Sequence, residues 1–168
     1  MLNTWLRENK IAAYLLTALR LYFGFAWLTA GWGKITGGFS AEGFLNGAIA
    51  NPVVSHDVAV YPGYVSFLET FALPNVSLFN VLIPWGEFLV GLGLILGCLT
   101  TAAAFFAIVM NFNFMLAGTI SHNPTDVIMG VILLAAGYNA GRYGLDRWVL
   151  PYFRKIFTKQ DATAHKMA

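Results

Sequence analysis

The sequence predicts an all-α polytopic membrane protein, a four-helix transmembrane bundle with short helices in the extracytoplasmic loop after the first span. Three observations carry this. The 168-residue chain is 58% hydrophobic and only 11% charged, with a mean hydropathy of +0.64, whereas soluble domains average about 45–50% apolar and about 25% charged residues. Four stretches approach the ~20 apolar residues that a helix needs to cross the hydrocarbon. All the basic residues except Arg20 and Lys34 stand at the two ends of the chain, with none between Lys34 and Arg142.

The same numbers exclude other classes. A soluble fold of this length cannot hide so much apolar surface. A net charge of +2 with the bases at the termini does not suit nucleic acid. A single cysteine, Cys98, leaves no intramolecular disulfide, Cys-rich metal site or Fe–S cluster held by this chain alone. The length suits one domain, residues 1–157, followed by a loose polar tail over 158–168.

The first span runs over about 11–35. It is longer than a signal-peptide core, contains Arg20 and is followed by no A-x-A-like site, so it is not read as a cleaved signal. The loop over 36–77 has only Glu42, Asp57 and Glu69 as charges. Its breaks at Gly37-Gly38, Asn51-Pro52, Tyr61-Pro62-Gly63 and Pro74-Asn75 isolate two amphipathic pieces, 40–49 and 63–73. These predict a lid of short helices. The second span, 78–98, turns tightly at Leu99-Thr100 into the third, 101–121. Pro124 stops the third, and Thr125 or Asp126 is placed to cap the fourth, 127–141. Residues 142–157 carry Arg147, Trp148, Tyr152, Phe153, Arg154 and Lys155 and suit the anionic cytoplasmic leaflet. A plain stop-transfer anchor explains these charges equally well. An even number of spans puts both basic termini in the cytoplasm, as the positive-inside rule requires.

Polar residues inside spans are the informative ones, because a charge at mid-helix costs about 2.5–3.5 kcal/mol. Arg20 and Glu87 each lie about nine residues into their spans, so antiparallel neighbours bring them to one depth. An intramembrane Arg20–Glu87 ion pair is expected, as a structural clasp or as the centre of a ligand site. Arg20, Gly24, Trp27, Gly31 and Lys34 form one stripe of the first helix. Gly24 and Gly31 there fit a small-residue helix seam, or the close approach of a flat ligand. Lys34, His122 and Asp126 are expected together at the outer mouth, where they exchange protons with the outside or simply cap the loop. Asn111 lies on the His122 face of the third helix. His56 and His122 are lone loop histidines outside any haem motif, so neither metal nor haem is expected.

Two sequences then stand out. Leu19-Arg20-Leu21-Tyr22-Phe23-Gly24 is followed by Ala30-Gly31-Trp32-Gly33-Lys34, and Pro84-Trp85-Gly86-Glu87 leads through Gly91-Leu92-Gly93-Leu94 to Gly97. The first resembles the first helix of DoxX/DoxD-like membrane proteins and the second their second helix, over about 16–141. The resemblance implies a four-helix protein of the bacterial or archaeal cytoplasmic membrane. Its DoxD-type members are the membrane subunit of a thiosulfate:quinone oxidoreductase, working with a second subunit. Arg20, Lys34 and Glu87 match the family's recurring polar residues.

Two functions follow as expectations. One is a quinone-linked oxidoreductase subunit passing electrons from thiosulfate or a related sulfur compound. The Arg20–Glu87 pair would act there on a quinone held among Gly24, Trp27, Gly31, Trp85, Phe88 and Asn111. The other is a non-enzymatic assembly or stress component, or a small-molecule binding or permeation module. Expected partners are membrane lipid, quinone and a second oxidoreductase subunit, with glycine-rich faces that suit a homodimer and no nucleic acid.

Overall fold

A computed structural model describes residues 1–164. Helix α1 (Leu2–Glu8) leads into α2 (Lys10–Gly37). The Asn9 side chain accepts hydrogen bonds from the Ile11 and Ala12 backbone N–H groups at 2.7 and 3.2 Å, which starts α2, and Gly38 at φ 72° ends it. Helix α5 (Val76–Leu96) is the second helix long and apolar enough to cross a membrane; α6 (Thr100–Leu116) and α7 (Asn123–Ala136) are shorter apolar helices.

The α2/α5 pair forms the spine. Its helices touch at the backbone, because a methyl group at Gly31 would lie 2.3 Å from the Phe88 nitrogen and one at Gly91 would lie 2.2 Å from the Leu28 nitrogen. Only glycine permits this approach. The contacts set an antiparallel register with Gly31 beside Phe88, Leu28 beside Gly91, and Gly24 beside Leu94 and Ile95. Phe23, Trp27, Leu94 and Leu133 centre the main core, to which α6 and α7 add small residues such as Ala104, Ala107 and Ala136. The outward faces are apolar: Tyr22, Phe25, Leu89, Phe105, Phe112 and Ile128 are all exposed. A continuous coat of such side chains is at home in lipid, not in water.

The segment between α2 and α5 folds over one end of this spine. It contains α3 (Glu42–Ala50), a two-residue antiparallel hairpin pairing Val54 with Ala59 and Ser55 with Val58, and α4 (Pro62–Phe67), which runs into a π-helical turn (Leu68–Ala72). No alternation of apolar and polar residues in the sequence marks this hairpin. Its turn places His56 and Asp57 at φ 50° and 61°, a backbone state that Asp and His tolerate better than most side chains. Ala41, Leu45, Leu68, Ala72 and Ala117 form a second small core beneath this lid. Asn80 on α5 fastens it by accepting the Ala41 N–H at 2.7 Å.

At the opposite end, α7 stops at Ala136. Gly137 (φ 56°) breaks the chain before the single turn α8 (Tyr138–Gly141), and α9 (Asp146–Ala164) follows. The stretch 127–141 is therefore two pieces rather than one helix. Residues 158–164, expected as a loose tail, continue α9; 165–168, with His165 and Lys166, lie outside the described residues.

Candidate functional site

The α2/α5 register decides which charges meet. Glu87 adjoins Phe88 and is therefore level with the last turn of α2, where Lys34 stands. The Lys34 ammonium lies 2.5 Å from Glu87 Oε2. Glu87 is buried, with 5% of its side chain exposed, against 30% for Lys34. The Lys34 ammonium also stands 5.8 Å from the centre of the Phe39 ring, within cation–π range.

The expected Arg20–Glu87 pair does not form. Arg20 lies about 18 Å along the helix from the level of Glu87, at about 1.5 Å per residue. Counting from the span starts brings the two groups level only if the start of each helix lies beside the end of the other. In fact α2 overhangs α5 at the terminal end of the bundle, so the offset separates the two groups. Arg20 is instead wholly buried under the C-terminus of α5, donating to the Leu94 and Ile95 carbonyls and, at 3.5 Å, to that of Tyr143. A cation there satisfies carbonyls that lack helical partners and meets the negative end of the helix dipole. It closes the end of α5.

A second polar pair stands at the lid end. His122 Nδ1 lies 2.8 Å from Asp126 Oδ2, one turn on. The His122 side chain is 73% exposed and that of Asp126 only 10%. Asp126 thus sits inside α7 and binds His122 rather than capping the helix, and Thr125 makes no cap either. His122 is also near enough to Glu87 for an electrostatic interaction. Lys34, Glu87, His122 and Asp126 accordingly gather at one end, drawn from α2, α5 and the start of α7. They grade from an exposed imidazole to a buried carboxylate.

The other expected residues divide. The space at Gly24 is taken by the Leu94 and Ile95 side chains and the Ile95 nitrogen, and that at Gly31 by the backbone of Pro84 and Phe88, so the seam has no space for a flat ligand. Trp27 is buried in the core, edge-on to Phe23 with ring centres 6.0 Å apart. All three make packing contacts inside the bundle. Asn111 is buried in α6, where its amide donates to the Ala107 carbonyl at 2.9 Å. Trp85 and Phe88 do form a surface: Phe88 stands 5.9 Å from Trp85 on one side and 5.9 Å from Trp32 on the other. Trp85 and Trp32 are about half exposed. This aromatic face flanks the Lys34–Glu87 level and is open to lipid.

Trp32 lies off the glycine stripe, which therefore does not mark it as part of the site. Asp146 carries no such mark either. It is buried and accepts the Leu99 N–H at 2.6 Å and the Thr100 N–H at 3.0 Å, closing the α5–α6 turn from a distant part of the chain. Its one signal was an acidic residue within an otherwise basic segment.

Residues 15–119 match the DoxX family model. No curated protein and no solved structure matches the chain. The match takes in both halves of the Lys34–Glu87 pair and the helix seam that aligns them, and the chain belongs to the DoxX family.

Proposed function

We propose that this membrane protein is the membrane subunit of a quinone-linked oxidoreductase that takes electrons from thiosulfate or a related sulfur compound, with Lys34–Glu87 as its working centre. The observation that carries this is a buried carboxylate paired with a partly exposed ammonium and flanked by the exposed aromatic surface of Trp32, Phe88 and Trp85. The residues suit a flat, lipid-soluble molecule with two carbonyl groups. Aromatic faces offer a stacking surface, and the Lys34 ammonium can donate to a carbonyl oxygen. Glu87 can hold a proton beside that oxygen. His122 and Asp126 can pass protons between the aqueous side and Glu87. The quinone itself supplies the acceptance of two electrons and two protons.

In this reading α2, α5, α6 and the α7–α8 pair cross the cytoplasmic membrane of a bacterium or archaeon. Both termini are cytoplasmic and the lid is extracytoplasmic, so the sulfur anion arrives on the lid side with Lys34 beneath it. A second subunit takes part in oxidising the donor.

The test is reconstitution in vesicles containing quinone, with thiosulfate added and quinone reduction followed by absorbance. The wild type, with its partner subunit, reduces quinone, and Glu87→Gln abolishes the reduction while Arg20→Lys retains it. Unchanged rates in Glu87→Gln remove the pair from the mechanism.

A further inference from the structure

A long groove of about 730 Å³ lies between α5 and α6, apart from the Lys34–Glu87 pair. That volume falls within the range of about 300–1,000 Å³ typical of ligand sites. Its floor is made of small residues: a methyl group at Gly93 would lie 3.2 Å from the Ala103 Cβ, and one at Gly86 would lie 3.3 Å from the Met110 sulfur. Leu89 and Leu96 on α5, Leu99 in the α5–α6 turn and Phe106 on α6 stand along it as exposed walls.

Three features bear on what fits. None of the described residues lining the groove is charged. Its polar side chains sit toward the ends, Tyr64 and Asn113 at the lid end and Cys98 at the other. Tyr64 donates its hydroxyl proton to the Asn113 carbonyl at 3.0 Å and stands 3.3 Å from the Asn113 side-chain oxygen, leaving a small cluster of oxygens there. The lid end is also covered, by Phe44 and Leu45 of α3 and by Tyr64 and Phe67 of α4. From Asn113 to Leu99 the groove follows α6 for about 21 Å, at about 1.5 Å per residue.

We propose that this groove binds one membrane amphiphile with a single long hydrocarbon tail and a small uncharged head. The tail lies along α5 and α6 and reaches Cys98. The head donates to the oxygens of Tyr64 and Asn113 beneath the lid. A phospholipid is disfavoured because its phosphate would meet no counter-charge. A helix from a second copy is disfavoured because a body about 10–12 Å across would meet Phe44, Leu45, Tyr64 and Phe67 at the lid end. The proposal stands on residues separate from those of the quinone reading, so either can fail alone.

Cys98, the chain's only cysteine, provides the readout. The protein is placed in phosphatidylcholine nanodiscs, and the rate of Cys98 alkylation by N-ethylmaleimide is measured. A long-chain polyprenol, a long-tailed quinone or phosphatidylglycerol is then added. At about ten times its dissociation constant the polyprenol slows alkylation about tenfold, since protection follows one plus the ratio of ligand to dissociation constant. Phosphatidylglycerol does not. Leu89→Trp, at an exposed position midway along the groove, removes the protection while Cys98 reacts at its unprotected rate. Tyr64→Phe weakens protection and provides a second test should Leu89→Trp fail to fold. Protection by the quinone and not by the polyprenol also overturns the proposal, because a quinone head carries no donor for the Tyr64 and Asn113 oxygens. No protection by either uncharged amphiphile, or equal protection by phosphatidylglycerol, overturns the proposal.

Discussion

Lys34 and Glu87 meet across the α2/α5 seam at 2.5 Å, with the carboxylate buried and the ammonium partly exposed. A buried pair stabilises chiefly by satisfying itself, since taking both charges from water costs several kcal/mol per ion. Lys34→Met therefore leaves an uncompensated buried carboxylate and lowers stability by about 3–5 kcal/mol. The double variant Lys34→Met with Glu87→Leu is near neutral by comparison. Denaturant unfolding in detergent checks this through the coupling energy of the double-mutant cycle; additive single effects would show that the pair does not act as one unit.

The seam makes a sharp prediction about glycine. Gly31→Ala places its methyl 2.3 Å from the Phe88 nitrogen, while nothing lies within 4 Å of a methyl on Gly33. Gly31→Ala should cost about 1–3 kcal/mol by forcing the helices apart. Gly33→Ala, two residues away, should be neutral or stabilise by up to about 1 kcal/mol through helix propensity. Melting temperatures of the two variants decide; equal shifts would contradict this helix register.

Arg20 and Asp146 hold the terminal end. Asp146→Ala leaves the Leu99 and Thr100 N–H groups without their acceptor, at about 1–3 kcal/mol for a buried unsatisfied donor. Arg20→Met strips the cation from the Leu94 and Ile95 carbonyls. Both variants should lose thermal stability while leaving the quinone binding proposed for the Lys34–Glu87 centre unchanged, as measured by fluorescence quenching on the protein that remains folded. A loss of affinity at constant stability would return Arg20 to the site.

Tyr64 carries a prediction in pH. Burial in the lid raises its phenol above the ordinary value of 10.0. The folded state then holds the proton more tightly than the unfolded state. The resulting stabilisation is fully present below the unfolded value and is lost as pH rises through the folded one. Difference titration at 295 nm should show a tyrosine component at high pH that disappears in Tyr64→Phe. In the wild type, lid loosening, read by proteolysis between α3 and α4, should set in over the same range.

Individual residues show what was legible beforehand. The polar residues were recognisable because each is costly in an apolar helix, and Lys34, His122 and Asp126 were grouped by depth alone. The partner of Glu87 is not legible in the sequence, because depth counted from helix starts ignores the offset between helices, and hydropathy says nothing about one helix overhanging another. The seam glycines carried the missing register, but a sequence cannot say whether a glycine faces a backbone, a ligand or lipid. Trp32 and Asp146 act through neighbours far along the chain, and the hairpin through local turn geometry at His56 and Asp57 that has no hydropathy signal.

The sequence by itself determined the helical class, the apolar surface and the short list of polar side chains that such a surface must justify, since composition and periodicity are properties of the chain alone. Tertiary structure decided which of those side chains became a pair. Backbone contact at Gly24, Gly31 and Gly91 locks α2 against α5 at one offset, and at that offset the carboxylate of Glu87 is within reach of Lys34 while Arg20 is left to close a helix end.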